Sequence, residues 1–146
     1  MRRMVMLSVA LGLILAAVGV GPVSAGSRTA VTMTVATIFD EFPDAFTATG
    51  IPDCEWGSVY DVGGRAEFTR HHGVFSGYKA FDCEDGGENG FVVRLNARFG
   101  ESGSVGAWAV VGSWGTLAGL SGAGGLTGDP IPSGGITDNY FGAVIL

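Results

Sequence analysis

Phe91-Val92-Val93-Arg94-Leu95-Asn96-Ala97-Arg98-Phe99 decides the fold. Phe91, Val93, Leu95, Ala97 and Phe99 share one parity, while Arg94, Asn96 and Arg98 share the other. Period two over this stretch means a strand with one buried and one wet face, because successive side chains point to opposite sides. The polar run Glu84-Asp85-Gly86-Gly87-Glu88-Asn89-Gly90 precedes it, and residues 76–83 precede that run. Strand, turn, strand predicts a hairpin. Gly100-Glu101-Ser102-Gly103 then leads into residues 104–114, where Trp108, Val110 and Trp114 fall on one parity with Gly106 and Gly112. Glycines beside tryptophans on one face suit a strongly curved sheet, where the missing side chain makes room for the ring.

The same pattern extends both ways. Residues 30–39 alternate Val31, Met33 and Val35 against Thr32 and Thr34, and residues 42–49 read as a second strand. Residues 58–61 and 66–70 read as two short strands. A strand starting near Ser121 and ending by Asp129 is followed by a last one over residues 135–146. The total is about seven to nine strands with a turn signal every ten residues or so, which fits a barrel or a sandwich. Closure removes the edges that short apolar strands otherwise expose. The expected fold is therefore all-β, a single antiparallel barrel of about eight strands, with a β-sandwich as the alternative. The chain has 26 glycines in 146 residues without a three-residue period. That excludes collagen, and it also argues against a helical bundle, since each interior helical glycine costs about 1 kcal/mol relative to alanine.

The N-terminal end is read as an address. Met1-Arg2-Arg3 is basic, Met4 to Val20 carries no charge, and Pro22 is followed by Val23-Ser24-Ala25. This order predicts a secretory signal peptide over residues 1–25 and a mature domain over residues 26–146, secreted to the exterior or the cell envelope. The competing reading is an uncleaved anchor, for which the apolar run is at the short limit of a spanning helix. Loss of Arg2 and Arg3 takes the formal net charge from −6 to −8. Such acidity is repelled by nucleic-acid backbones and anionic lipid surfaces, so neither nucleic acid nor a membrane is expected as a partner. Cys54 and Cys83 are the only cysteines. In an exported chain they are expected to form a disulfide that closes a loop of about thirty residues, contributing roughly 3–4 kcal/mol.

Residues 106–124, running Gly-Ala-Trp-Ala-Val-Val-Gly-Ser-Trp-Gly-Thr-Leu-Ala-Gly-Leu-Ser-Gly-Ala-Gly, resemble a pattern of allene-oxide-cyclase-like and dirigent-like barrels. More closely, the chain resembles small bacterial members of that class. They share the Gly-x-Trp-x-Val strand, the Leu-Ala-Gly-Leu-x-Gly-x-Gly crossing and an Asp-x-Tyr-x-Gly end, here Asp138-Asn139-Tyr140-Phe141-Gly142. The likeness covers about residues 76 to 142. It departs at Trp114, where the family's tight turn carries a second glycine. The resemblance implies an eight-stranded antiparallel barrel and carries no catalytic residue across. Gly106-Ala107-Trp108 also resembles the Gly-x-Trp of lipocalins, but that motif belongs on a first strand.

No nucleophile elbow, P-loop or nucleotide fingerprint in a strand-to-helix context is present, so no catalytic or cofactor residue is assigned. His71 and His72 are adjacent, which on a strand points them to opposite faces and not at one metal. Asp82, Glu84, Asp85, Glu88 and Asn89 form an acidic cluster whose oxygens could hold Ca²⁺, but they lack an EF-hand spacing, and a solvated turn is expected there. Glu67 and Asp138 lie in strand-like surroundings, and alternation leaves open whether either faces inward. The candidate lumen residues are Phe91, Val93, Leu95, Ala97 and Phe99. Three functions follow from such a barrel: a lumen that binds a small apolar molecule, a cyclase or isomerase with a buried carboxylate or hydroxyl in the same cavity, or a filled barrel acting through its surface. Eight strands enclose an interior that side chains either fill or leave open to one small ligand. Intact-mass measurement of exported protein should find a chain beginning at Gly26, whereas retention of residues 1–25 would make it an anchored protein.

Overall fold

The computed structural model of the chain describes residues 26–38, 43–69, 72–84, 87–132 and 134–146. The expected signal segment, His71 and Asp85 lie outside them. Eight strands follow one another: β1 (Arg28–Ile38), β2 (Asp44–Thr49), β3 (Trp56–Phe68), β4 (His72–Cys83), β5 (Gly90–Gly100), β6 (Gly103–Trp114), β7 (Ser121–Pro130) and β8 (Gly135–Ile145). Each pairs antiparallel with the next, and β8 returns to β1 to close the barrel. Closure rules out the sandwich. The β1–β8 ladder runs in unbroken register from Arg28↔Ile145 to Ile38↔Gly135, so the apolar C-terminal run is a full strand whose backbone is paired on both sides.

On β5 the alternation reads as the sequence suggests. Phe91, Val93 and Leu95 are buried, Ala97 and Phe99 are half-buried, and Arg94, Asn96 and Arg98 are exposed. Two other strands depart from simple alternation. The expected short strands at residues 58–61 and 66–70 fall, up to Phe68, within a single strand, β3, with a bulge at Val62: Asp61 pairs with Lys79 but Gly63 pairs with Tyr78, and Arg70 lies outside the described residues. The second bulge is at Val111 on β6, where Val110 pairs with Val93 but Gly112 pairs with Val92. An extra residue reverses the facing of everything beyond it. Trp108 and Trp114 therefore lie on opposite faces of the sheet, not on one. Trp108 is inside, its Nε1 donating to the Gly125 carbonyl at 3.0 Å, and a Cβ on Gly142 would come within 2.9 Å of its ring. Trp114 lies over Gly90 on the outer side, where a Cβ would overlap its ring, and its Nε1 donates to the Gly87 carbonyl at 3.2 Å.

The two ends of the barrel differ. The end holding the β2–β3, β4–β5 and β6–β7 connections is sealed by Ile51, Leu117 and Leu120, all buried, and by the Cys54–Cys83 disulfide with its Cα atoms 5.1 Å apart. A 3-10 turn, Gly115–Leu117, carries Leu117 into that end. Asn89 fixes it by accepting from the Thr116 backbone N–H at 2.6 Å and from its hydroxyl at 3.0 Å. Above this seal an aromatic stack fills the lumen. Phe81 lies parallel to Phe91 at 4.8 Å, with Phe46 edge-on at 5.1 Å and Tyr140 edge-on at 5.8 Å. Phe91→Ala should lose about 3–5 kcal/mol in denaturant unfolding, whereas exposed Arg98→Ala should change stability by less than about 0.5 kcal/mol.

Candidate functional site

The apolar filling stops half-way along the barrel. Inward-facing positions on the far side of Phe81 and Tyr140 hold Asp44 on β2, Asp61 on β3, Lys79 on β4 and Asp138 on β8, and beyond them a cavity of about 480 Å³ opens at the other end. Asp61, Lys79 and Asp138 form its charged floor, with Thr37 and Ser104. Phe68, Phe75, Leu95, Ala97, Phe99 and Ile136 make its apolar wall. Phe68 is 74% exposed at the rim and meets the Phe99 ring edge-on at 5.3 Å.

Register brings the charged groups together. Asp61 and Lys79 are cross-strand partners, and the Lys79 Nζ lies 2.9 Å from Asp61 Oδ1 and 3.7 Å from Asp44 Oδ2. Thr37 donates to Asp44 Oδ2 at 2.8 Å, and Ser104 donates to Asp138 Oδ1 at 2.7 Å. Asp44 is 5% exposed and Lys79 8%, so this pair sits in the protein interior, while the Asp61 side chain is 49% exposed at the open side of the network. Two buried atoms have no hydrogen-bonding partner among the described residues, Asp44 Oδ1 and the Tyr140 hydroxyl. Native interiors contain few such groups, because each unpaired one carries its desolvation penalty.

Burial raises the Asp44 carboxyl above its usual value, against the opposing pull of the Thr37 hydrogen bond and the Lys79 charge. Burial also raises Asp138, opposed by the Ser104 hydrogen bond and Lys79 and reinforced by the Asp44 charge. The Tyr140 phenol is pushed up by burial and by Asp138, Asp61 and Asp44, so it stays protonated. These are the conditions under which a carboxyl group exchanges a proton closer to neutral pH than it does in water.

Of the lumen residues suggested by alternation, Leu95, Ala97 and Phe99 line the cavity, while Phe91 and Val93 belong to the packed half. Asp138 faces the lumen, opposite Val35 and Gly128. Glu67 faces outward and is paired with Arg65 at 2.7 Å, because the Val62 bulge puts Ala66 and Phe68 on the lumen side instead. His72 opens β4 at an exposed position away from the charged floor. Among the described residues no group of three or more His, Cys, Asp and Glu side chains is arranged to hold a metal ion. Asp44, Asp61 and Lys79 belong to no motif, and Tyr140 enters only through the Asp-x-Tyr-x-Gly end, which assigns it no role. The available signal was a charge on the apolar parity of a strand: Asp44 with Phe46 and Ala48, Lys79 with Phe75 and Phe81.

A carboxyl raised in the folded state takes up more protons than in the unfolded chain between the two pKa values, so it lowers stability as pH rises through that window. Asp138→Asn removes this contribution. Its melting temperature should match that of the parent near pH 4 and exceed it increasingly as pH rises from there towards neutrality. A constant difference across that range would show that Asp138 titrates as it does in water.

Comparison of the chain with family models, with curated proteins and with solved structures finds no match.

Proposed function

We propose that this protein is an exported binding barrel that takes one small, largely apolar molecule into the open half of its lumen. The observation that carries this reading is the half-filled interior: a cavity of about 480 Å³ with a wall of phenylalanines and aliphatic side chains over a charged floor. Ligand sites combine mostly apolar lining with a few placed polar groups in this way. The sealed opposite end makes the lumen a cup, so the ligand enters and leaves through the rim at Phe68 and Phe99. The Cys54–Cys83 disulfide supports export to an oxidising compartment. Kinship with the allene-oxide-cyclase-like barrels, carried by the motifs between residues 76 and 142, is part of the same proposal.

A second reading, an isomerase or cyclase, is favoured by one observation. Asp138 combines a raised carboxyl with a place on the cavity surface, which is what proton transfer to a bound apolar substrate requires. Binding is the broader reading, and catalysis would be added to it.

The test uses N-phenyl-1-naphthylamine, a neutral dye whose fluorescence rises in apolar surroundings. It should bind the folded protein at about one dye per chain, at micromolar concentration. Ala66 is exposed on β3 yet lines the cavity, so Ala66→Trp should leave the fold intact and weaken dye binding at least tenfold or so by occupying the mouth. Absence of binding, or binding indifferent to Ala66→Trp, would reject the lumen as a ligand site.

A further inference from the structure

We propose that the polar end of the ligand is an organic ammonium, a primary or secondary amine protonated at neutral pH, held against Asp138 and Asp61 at the cavity floor. The inference rests on the lumen-binding reading and adds the ligand's charge to it.

Charge balance is the first argument. Asp44, Asp61 and Asp138 converge at the floor, and among the described residues Lys79 is the cation that faces them. That ammonium is already committed to Asp61 at 2.9 Å and lies 3.7 Å from Asp44. One more positive charge entering this site meets net attraction, and an anion meets repulsion strengthened by the low dielectric of the lumen.

Hydrogen-bond balance points the same way. Three carboxylates offer six acceptor oxygens, and a carboxylate has no proton of its own to give. Among the described residues the donors directed at them are the Lys79 ammonium and the hydroxyls of Thr37 and Ser104. At the cavity surface Asp138 accepts from Ser104 at Oδ1 and Asp61 accepts from Lys79 at Oδ1, while Asp44, whose Oδ1 has no partner among the described residues, lies beneath the floor and does not line the cavity. A ligand bringing several N–H donors supplies what the floor lacks, whereas a carboxylate ligand would add more acceptors.

The wall is consistent with that head group. Phe68, Phe75 and Phe99 line the path to the floor, and the faces of aromatic rings attract cations. Lys79 already lies with its Nζ 6.0 Å from the centre of the Phe75 ring. Binding of an ammonium beside Asp138 favours its ionised form. Affinity should therefore rise with pH through the titration of Asp138, whose charged and polar neighbours are Asp44, Lys79, Ser104 and Tyr140.

The experiment displaces bound N-phenyl-1-naphthylamine with 4-phenylbutylammonium, 4-phenylbutanol and 4-phenylbutanoate, which share a tail and differ in charge. At about pH 7.5 the ammonium should displace the dye at a concentration at least tenfold or so below that of the alcohol, with the carboxylate weakest. Asp138→Asn should reduce the ammonium's advantage several-fold and leave the alcohol unchanged. Equal displacement by the three, or preference for the alcohol or carboxylate, overturns the ammonium assignment and leaves lumen binding standing. Failure of the dye itself to bind overturns both.

Discussion

Everything in this molecule depends on the β1–β8 ladder. Pairing along its whole length satisfies the backbone of the last strand and abolishes the two edges that an open eight-stranded sheet would present. It also fixes the lumen. With eight strands the interior is about one layer of side chains across, so what each inward position carries decides between packed core and free space. Large rings fill one half, and where the inward positions turn to Ala66, Ala97 and short polar groups, space remains.

The two halves obey different rules. In the aromatic half, burial is favourable by about 25 cal/mol per Å² and asks only for fitting shapes. At the floor of the other half, Asp44 and Lys79 are nearly fully buried, and removing two charges from water costs more than their attraction reliably returns. A barrel selected for stability alone would be better served by aliphatic residues at those positions. Tyr140 marks the boundary: its ring packs on Phe81 and is tilted against Trp108 at 6.4 Å, while its hydroxyl lies in the field of three carboxylates. A buried hydroxyl and a buried carboxylate oxygen without partners are tolerated at this boundary, which is where a binding function would require them.

How much of this was legible in the sequence follows from the period of the strand. Where a strand is unbroken, as in β5 and β8, facing follows from parity alone, and the Phe91–Phe99 alternation needs no structure to interpret. Where one residue is inserted, parity holds only up to the insertion. Val62 sits in Asp61-Val62-Gly63-Gly64, a run whose glycines made it read as a break between two strands, yet it is a bulge within one. Val111 is apolar among apolar residues, so nothing distinguishes it from its neighbours, and parity alone assigns Trp114 to the face of Trp108 when the bulge turns it outward. The floor was illegible for a different reason. Its groups come from four strands, and only the closed ladder brings Asp44, Asp61, Lys79 and Asp138 into one place.

The Val62 bulge does more than complicate the reading. Without it, Asp61, Gly63, Arg65 and Glu67 would all face the lumen, placing an Arg–Glu pair across the mouth and turning Ala66 and Phe68 to solvent. With it, Asp61 keeps its inward place beside Lys79, and five residues later the strand presents Ala66 and then Phe68 to the cavity, while Arg65 and Glu67 pair outside at 2.7 Å. One extra residue thus separates a charged floor from an apolar wall on a single strand. Bulges are found preferentially at barrel rims and beside sites because they re-aim side chains in this manner. The amphipathic character of the cavity is therefore a property of the backbone register, set at Val62, as much as of the side chains that line it.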